Sequence, residues 1–416
     1  MIVRSPYLPG ERARAISFAE LGHPSSTYLL PTKLHVGRNG TLALHGDVPG
    51  SCFDDLKTAL FDREIPGAAM PSSVDSVGRA AAFLALVLRE VRARFLQAER
   101  ETYRRFQIRW AVNVGIPSAG YDDGNIREKF LRAARVGWKL SWETKPMTWD
   151  LVMKTLGEVG KAAEDDETPV EVIPEVVAQA VGYARSPLRN PGLHLLVDVG
   201  ASTLDICGFF LRSAQGQDCY DLLTTTVDPL GVAKLHERRI GALRCEENAK
   251  RFQNLDALSP VPETLGDYHP GCACGASDVD GDFRFRVACL ITRHLANLKK
   301  RRDPYSPKWP DGIPVFLCGG GSGMQLFRKA VEQGDRDFRQ HMNAGPIQLR
   351  RLPKPAAVVN RDIGDGLFHR LSVAYGLSFD AANIGSVTPP GKLEDIIPGS
   401  PPRRDYEANF ISKEKV

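Results

Sequence analysis

The segment His194 to Gly200, HLLVDVG, is an apolar run interrupted by one carboxylate, Asp198, and it ends in Gly200-Ala201-Ser202-Thr203. Such a run reads as a buried strand. A carboxylate near the end of a buried strand needs a compensating partner, because burying an unpaired charge is costly. A hydrated Mg²⁺ is such a partner. The small residues after it let backbone N–H groups approach an anion closely, and the hydroxyls of Ser202 and Thr203 add donors. Asp205 follows shortly after. The other reading is a tight hairpin in an ordinary sheet, with Asp198 capping a neighbour.

A second cluster lies farther on. A strand over residues 313–318 runs into Gly319-Gly320-Gly321-Ser322, with a helix expected from about residue 323. Three consecutive glycines exceed the need of a plain strand-to-helix turn. They suit backbone lying flat against a ligand at a helix start that favours anions. A third cluster is His269-Pro-Gly-Cys272-Ala-Cys274, with Cys245 or Cys289 as further thiols. Cys-x-Cys beside His can bind zinc. The spacing matches no finger, and a loop with free thiols is the plainer reading.

Sheets and crossing helices must hold these residues. Residues 27–46 read as two short strands around Arg38-Asn39-Gly40. A helix is expected over 72–102, capped by Ser72 or Ser73, then a strand over 106–116 and a helix over 125–140. Residues 146–168 read as an inserted helix with an acidic end, Glu164 to Glu167, and 174–185 as a helix opened by Pro174. The turn-rich RSPLRNPG, 185–192, marks a boundary. Strands follow over 193–199, 204–212 and 219–227, with helices over 232–252, 283–301 and 367–378. This divides the chain into 1–188, 189–380 and an extended Pro-rich tail, 381–416.

A length of 416 residues suits two lobes better than one core. A net charge of +4 is too small to argue for nucleic acid or an anionic membrane as partner. The basic run Lys299 to Arg302 reads as a solvated helix end. No secretory signal is visible at the start, and the longest apolar stretch, Ala80 to Leu88, is too short to span a bilayer. Eight scattered cysteines suit reduced thiols in a cytoplasm.

The hairpin Leu195 to Asp205 resembles the second phosphate loop of the actin, hexokinase and heat-shock-chaperone ATPase superfamily. Within it the chain is most similar to the nucleotide-binding domain of DnaK-type chaperones. Asp198, Gly200, Thr203 and Asp205 match that loop, with Ala201 where a further glycine is usual. CGGGSGM, 318–324, is similar to the adenosine loop, and CEENAKRF, 245–252, to the helix that contacts adenine. The latter maps Glu247, Lys250 and Arg251 onto a ribose acceptor and two stems that sandwich a base. By itself that helix reads as exposed, with an ion pair along one face. PEVVAQAVGYA, 174–184, looks like the first connecting helix and HRLSVAYGLSF, 369–379, like the second, with Ala374 and Gly376 letting them cross closely. FDDLKTAL, 53–60, resembles the segment with a catalytic lysine, which Lys57 matches; alone, Lys57 is a surface lysine.

The resemblance implies a two-lobed actin-like (ribonuclease H-like) α/β fold with mixed sheets flanked by helices and ATP-Mg²⁺ in the cleft. Asp198 would hold the hydrated metal, Glu175 would orient water, and Lys57 would stabilise the γ-phosphate. It implies a chaperone-like ATPase switch read by a protein partner or client. The family's first phosphate loop, a strand ending in an Asp-x-Gly-Thr-type turn, is missing ahead of Lys57, and the peptide-binding half is missing after Phe379. Either the chain begins upstream, or nucleotide binds weakly and the protein is a scaffold. The alternatives are a non-catalytic actin-like structural or self-assembling protein, and a small-metabolite kinase with Asp122-Asp123 as candidate base.

Overall fold

The computed structural model describes all residues except 6–10, 22–26, 38, 47–51, 55, 62–75, 160–167, 244–245, 254–257, 269–277 and 397–416. Arg38 of the expected turn, the caps Ser72 and Ser73, the acidic run 164–167, the His269/Cys272/Cys274 cluster with Cys245, and Pro398 to Pro402 lie outside the described residues.

In the first half the strands are β1 (Ile2–Ser5), β2 (Arg12–Ala15), β3 (Leu34–Val36), β4 (Leu42–Ala43), β5 (Cys52–Phe53), β6 (Val112–Ile116) and β7 (Val170–Pro174). Its helices are α1 (Ser76–Ala98), α2 (Arg100–Tyr103), α3 (Ser118–Tyr121), α4 (Gly124–Leu140), α5 (Trp149–Val159) and α6 (Glu175–Ala184). The second half holds β8 (Gly192–Val199), β9 (Leu204–Ala214), β10 (Gln217–Asp228), β11 (Pro314–Cys318), β12 (Gln348–Arg350) and β13 (Ser386–Thr388). Its helices are α7 (Val232–Gly241), α8 (Glu246–Gln253), α9 (Val279–Asn297), α10 (Gln325–His341), α11 (Asp365–Leu377) and α12 (Ala381–Ile384).

The molecule is a mixed α/β protein built around a six-stranded sheet of order β12-β11-β8-β9-β10-β13. β8, β9 and β10 form an antiparallel meander, while β11 runs parallel to β8, β12 to β11 and β13 to β10. β8 reads as one apolar run because both of its faces are covered. Leu193, Leu195, Val197 and Val199 face α7, α9 and α10 through Leu235, Phe283, Ile291, Phe327 and Val331. Leu196 faces the other side with Phe209, Phe316 and Cys318, against Val177, Val181 and Leu371 of α6 and α11. His194 lies on that side too, stacked on Phe209 and Phe316, with Nε2 on the Tyr183 hydroxyl at 3.1 Å.

β6 and β7 form a parallel pair. Ile116 and Val172 from this pair share a core with α1, α4 and α5, joined by Leu34, Leu42, Leu56 and Leu60. α1 and α4 touch backbone to backbone. A Cβ on Gly137 would lie 2.9 Å from the Ala81 carbonyl oxygen. α6 and α11 cross as the small residues predict, since a Cβ on Gly376 would come within 1.8 Å of the Ala178 carbonyl oxygen. The hairpin β1–β2 is tied to the second half by a bridge from Ala13 to Val358.

Four elements differ from the sequence reading. The strand expected from residue 106 begins at Val112, where the Pro169 carbonyl first accepts its N–H; Phe106 before it is 60% exposed. β7 was hidden between an expected inserted helix and α6. Its alternation, with Val170, Val172 and Pro174 buried, is that of a strand covered on one face. The helix expected over 232–252 is two helices, α7 ending at Gly241. The described part of the expected tail, residues 381–396, docks on the second half. β13 joins β10, Arg302 pairs with Asp395 at 3.3 Å, and Ile396 N–H donates to the Arg301 carbonyl. The basic run is thus a helix end that holds the chain's own tail, with Lys299 over the Trp309 ring.

Candidate functional site

The β8–β9 turn is a hairpin held from behind. Asp198 and Asp205 are direct partners across the ladder. Gly200 N–H donates to the Thr203 carbonyl at 2.9 Å. The first amides of α7 take the turn's remaining carbonyls: Val232 to Gly200 at 3.0 Å, Ala233 to Ala201 at 2.7 Å and Gly231 to Ser202 at 3.3 Å. This close docking requires glycine at 231, where a Cβ would lie 2.4 Å from the Ala201 oxygen. The N–H groups of Ala201, Ser202 and Thr203 donate to no backbone carbonyl among the described residues. Ala201 and Ser202 are exposed. A turn with its carbonyls consumed and its amides open can receive an anion.

The glycine loop sits on the end of β8. Gly321 N–H donates to the Val199 carbonyl at 3.0 Å. Gly319 has φ +83°, and a Cβ there would lie 2.0 Å from Asp198 Oδ1. Only glycine meets both conditions. Ser322 turns inward and donates its hydroxyl to the Gly319 carbonyl at 2.8 Å. The start of α10 is less open than its sequence suggests, because Glu263 accepts from Gln325 N–H at 2.6 Å. The chain's own carboxylate takes part of that anion-favouring end.

Four predicted residues converge from four elements. Leu56 and Leu60, buried in the first-half core, fix the turn that carries Lys57. Lys57 Nζ meets both oxygens of Glu175, at 2.9 and 2.7 Å. Glu175 is the first residue of α6, where the helix dipole favours a carboxylate. Gly115 of β6 leaves it room, since a Cβ there would lie 2.9 Å from Glu175 Cγ. Burial works against the Lys57 ammonium, yet Glu175, Asp205 and Asp198 outweigh it, and its pKa lies above the ordinary lysine value. Burial pushes Asp205 up to about 8, with Glu175 and Asp198 adding to it and Lys57 opposing. Asp198 is pushed up to about 6 by burial and by Glu175, against Lys57 and Gln179.

Three acidic side chains share one ammonium, and Asp205 Oδ1 is buried with no hydrogen-bond partner. That is a donor set short of positive charge, so these residues fit a divalent cation. Among the described residues no group of three or more His, Cys, Asp or Glu side chains is placed to hold a metal ion by itself, so any cation here would need ligand oxygens and water as well. Mg²⁺ fits such a site because it keeps much of its water and binds through one or two carboxylates plus ligand phosphates.

Gln179 escaped the sequence reading. Its Nε2 donates to Asp198 Oδ2, and the Cys318 thiol donates to its Oε1 at 3.3 Å. The signal was one long polar side chain among the apolar and small residues that follow Glu175 in α6. Glu247, Lys250 and Arg251 stand exposed on α8, which packs on α7 and rests Phe252 on Tyr268. Lys250 pairs with Glu246 at 3.9 Å. Asp123 caps α4 through Asn125 and Ile126 N–H, and Asp122 accepts from Gly391 N–H at 2.9 Å. Both members of the kinase-type candidate pair therefore have structural partners. Cys52, Cys207, Cys219, Cys289 and Cys318 are free thiols. No helix of the described residues is long and apolar enough to cross a membrane.

No known family model matches the sequence, and no curated protein matches it. Among solved structures the chain is similar to ethanolamine utilization protein EutJ from Carboxydothermus hydrogenoformans. The two share 14% identity over 72% of this chain and 75% of that one, with a TM-score of 0.34. A similarity of that size carries no function across, and the residues of the site carry the reading below.

Proposed function

We propose that this chain is an ATP-binding switch of the actin-like ATPase superfamily, resembling the DnaK-type nucleotide-binding domain. In this reading residues 1–188 and 189–380 are its two lobes, and the nucleotide lies between them with Mg²⁺. The carrying observation is the convergence of Lys57, Glu175, Asp198 and Asp205 at the mouth of a hairpin with open amides, roofed by the glycine loop. Ser202 and Thr203, with the amides of 201–203, would grip phosphate. Asp198 and Asp205 would face the hydrated Mg²⁺, which supplies the positive charge the carboxylates lack. Glu247, Lys250 and Arg251 on α8 would meet the adenosine end. A change in lobe angle would be read by a protein partner.

The Lys57–Glu175 pair favours binding with slow turnover. Glu175 can orient water only after it releases the ammonium, and two charge-assisted hydrogen bonds oppose that release. Titration calorimetry with Mg²⁺ and ATP tests the reading. The unaltered chain is expected to bind, and Asp198→Ala to abolish binding while keeping its circular dichroism spectrum. No heat of binding with the unaltered chain at millimolar ATP would overturn it. Binding without phosphate release over hours would leave the non-catalytic actin-like alternative in its place.

A further inference from the structure

α11 runs across the site from one cluster to the other. Near its end, Gly376 lies on the Ala178 carbonyl of α6, and Leu377 reaches 3.4 Å from the Cβ position of Gly115, beside Glu175. Two turns earlier on the same helix, Arg370 lies along the glycine loop. Its Nε is 3.4 Å from the Cβ position of Gly320, and its Cδ and Cγ are 4.0 Å away. At 1.5 Å of rise per residue, about 10 Å of helix separates these two ends. The bare backbone at Gly320 leaves room for the Arg370 stem and its Nε to lie along the loop.

Arg370 is exposed and makes no hydrogen bond or ion pair among the described residues. Loss of water alone acts on it, lowering its pKa, with no carboxylate raising it. Lys57, by contrast, is held by Glu175 through both oxygens. The charges of the site then leave a gap. A nucleoside polyphosphate with one Mg²⁺ is still anionic, and it enters beside three acidic side chains whose one ammonium is already paired with Glu175. It needs a cation with no partner of its own, placed away from those carboxylates. An arginine fork is suited to that, because its donors match two phosphate oxygens at once.

We propose that Arg370 binds a phosphate oxygen of the nucleotide from the glycine-loop side, a role that rests on the nucleotide reading above. The chain thus carries two cations of different kinds at the site, one latched to Glu175 and one open to the ligand. The test is titration calorimetry with Mg²⁺-ADP at several salt concentrations, on the unaltered chain, Arg370→Ala and Arg370→Lys. Hydrogen bonds to charged groups contribute enough for a loss of roughly 10- to 100-fold in ADP affinity in Arg370→Ala. The salt dependence of that affinity should also flatten. Arg370→Lys should recover part of the affinity, and all three proteins should melt together because Arg370 is exposed. If the unaltered chain binds ADP and Arg370→Ala binds it equally well, the assignment is wrong. A loss of affinity with unchanged salt dependence would place Arg370 on the base and overturn the phosphate role. Absence of binding by the unaltered chain would overturn the nucleotide reading itself, and this inference with it.

Discussion

The three glycines of the loop meet different surroundings, so three alanine substitutions should separate cleanly. At Gly319 the backbone has φ +83°, which costs a residue with a Cβ about 1–2 kcal/mol. The new methyl would also lie 2.0 Å from Asp198 Oδ1 and 2.5 Å from the Val199 carbonyl oxygen. Forcing extra volume into a packed site adds about 1–3 kcal/mol. Gly319→Ala should therefore lose about 2–5 kcal/mol and displace the Asp198 carboxylate as well. Gly321→Ala meets only overlap, at 2.3 Å from a Val199 methyl and 2.4 Å from a Val232 methyl, so about 1–3 kcal/mol is expected. Gly320→Ala meets Arg370 at an ordinary 3.4 Å and should change stability by less than about 0.5 kcal/mol. Urea denaturation followed by far-ultraviolet circular dichroism reads all three. Equal midpoints for Gly319→Ala and Gly320→Ala would refute the claim that the loop is stacked on Asp198. Mg²⁺-ATP binding should follow the same order, lost in Gly319→Ala and kept in Gly320→Ala.

Two further outcomes follow from the same geometry. Asp205 holds its carboxyl proton up to about pH 8 in the folded chain, whereas an unfolded aspartate releases it near 4. Between those values the folded state binds the extra proton, so ligand-free stability falls as pH rises through that window and levels off above it. At 1.36 kcal/mol per unit, the Asp205 contribution is on the order of 5 kcal/mol. Asp205→Asn should flatten the slope of urea stability between pH 5 and 8 and be the more stable protein at pH 8; an unchanged slope counts against the buried, proton-holding carboxyl. Gly376→Ala drives a methyl to 1.8 Å from the Ala178 carbonyl oxygen and should cost about 1–3 kcal/mol or more by parting α6 from α11. A melting temperature within a degree of the unaltered chain would show that the helices do not cross as described.

The hairpin was legible because its signals are local. A carboxylate in an apolar run, a small-residue turn and a second carboxylate lie within Asp198 to Asp205, and the ladder then sets the two acids opposite each other. The glycine loop was legible for the same reason, but its chemistry was not. That Ser322 bonds Gly319 and Glu263 caps α10 depends on residues the loop meets only after folding. β13 is three residues long, too short for any periodicity to show, and β10 supplies the reason it is a strand. Lys57 and Glu175 could each be named from their own segments. Their pairing spans 118 positions, and nothing near either residue states it. Gln179 and Arg370 mark the limit more sharply. Gln179 was visible as a polar intruder in α6, although its duty to Asp198 was not. Arg370 is one more basic residue on a helix until α11 is laid across α6. The crossing that Gly376 permits is what carries that side chain to Gly320. The residue that decides where this cation points is therefore a glycine six positions farther along α11, and a sequence read in windows has no reason to connect the two.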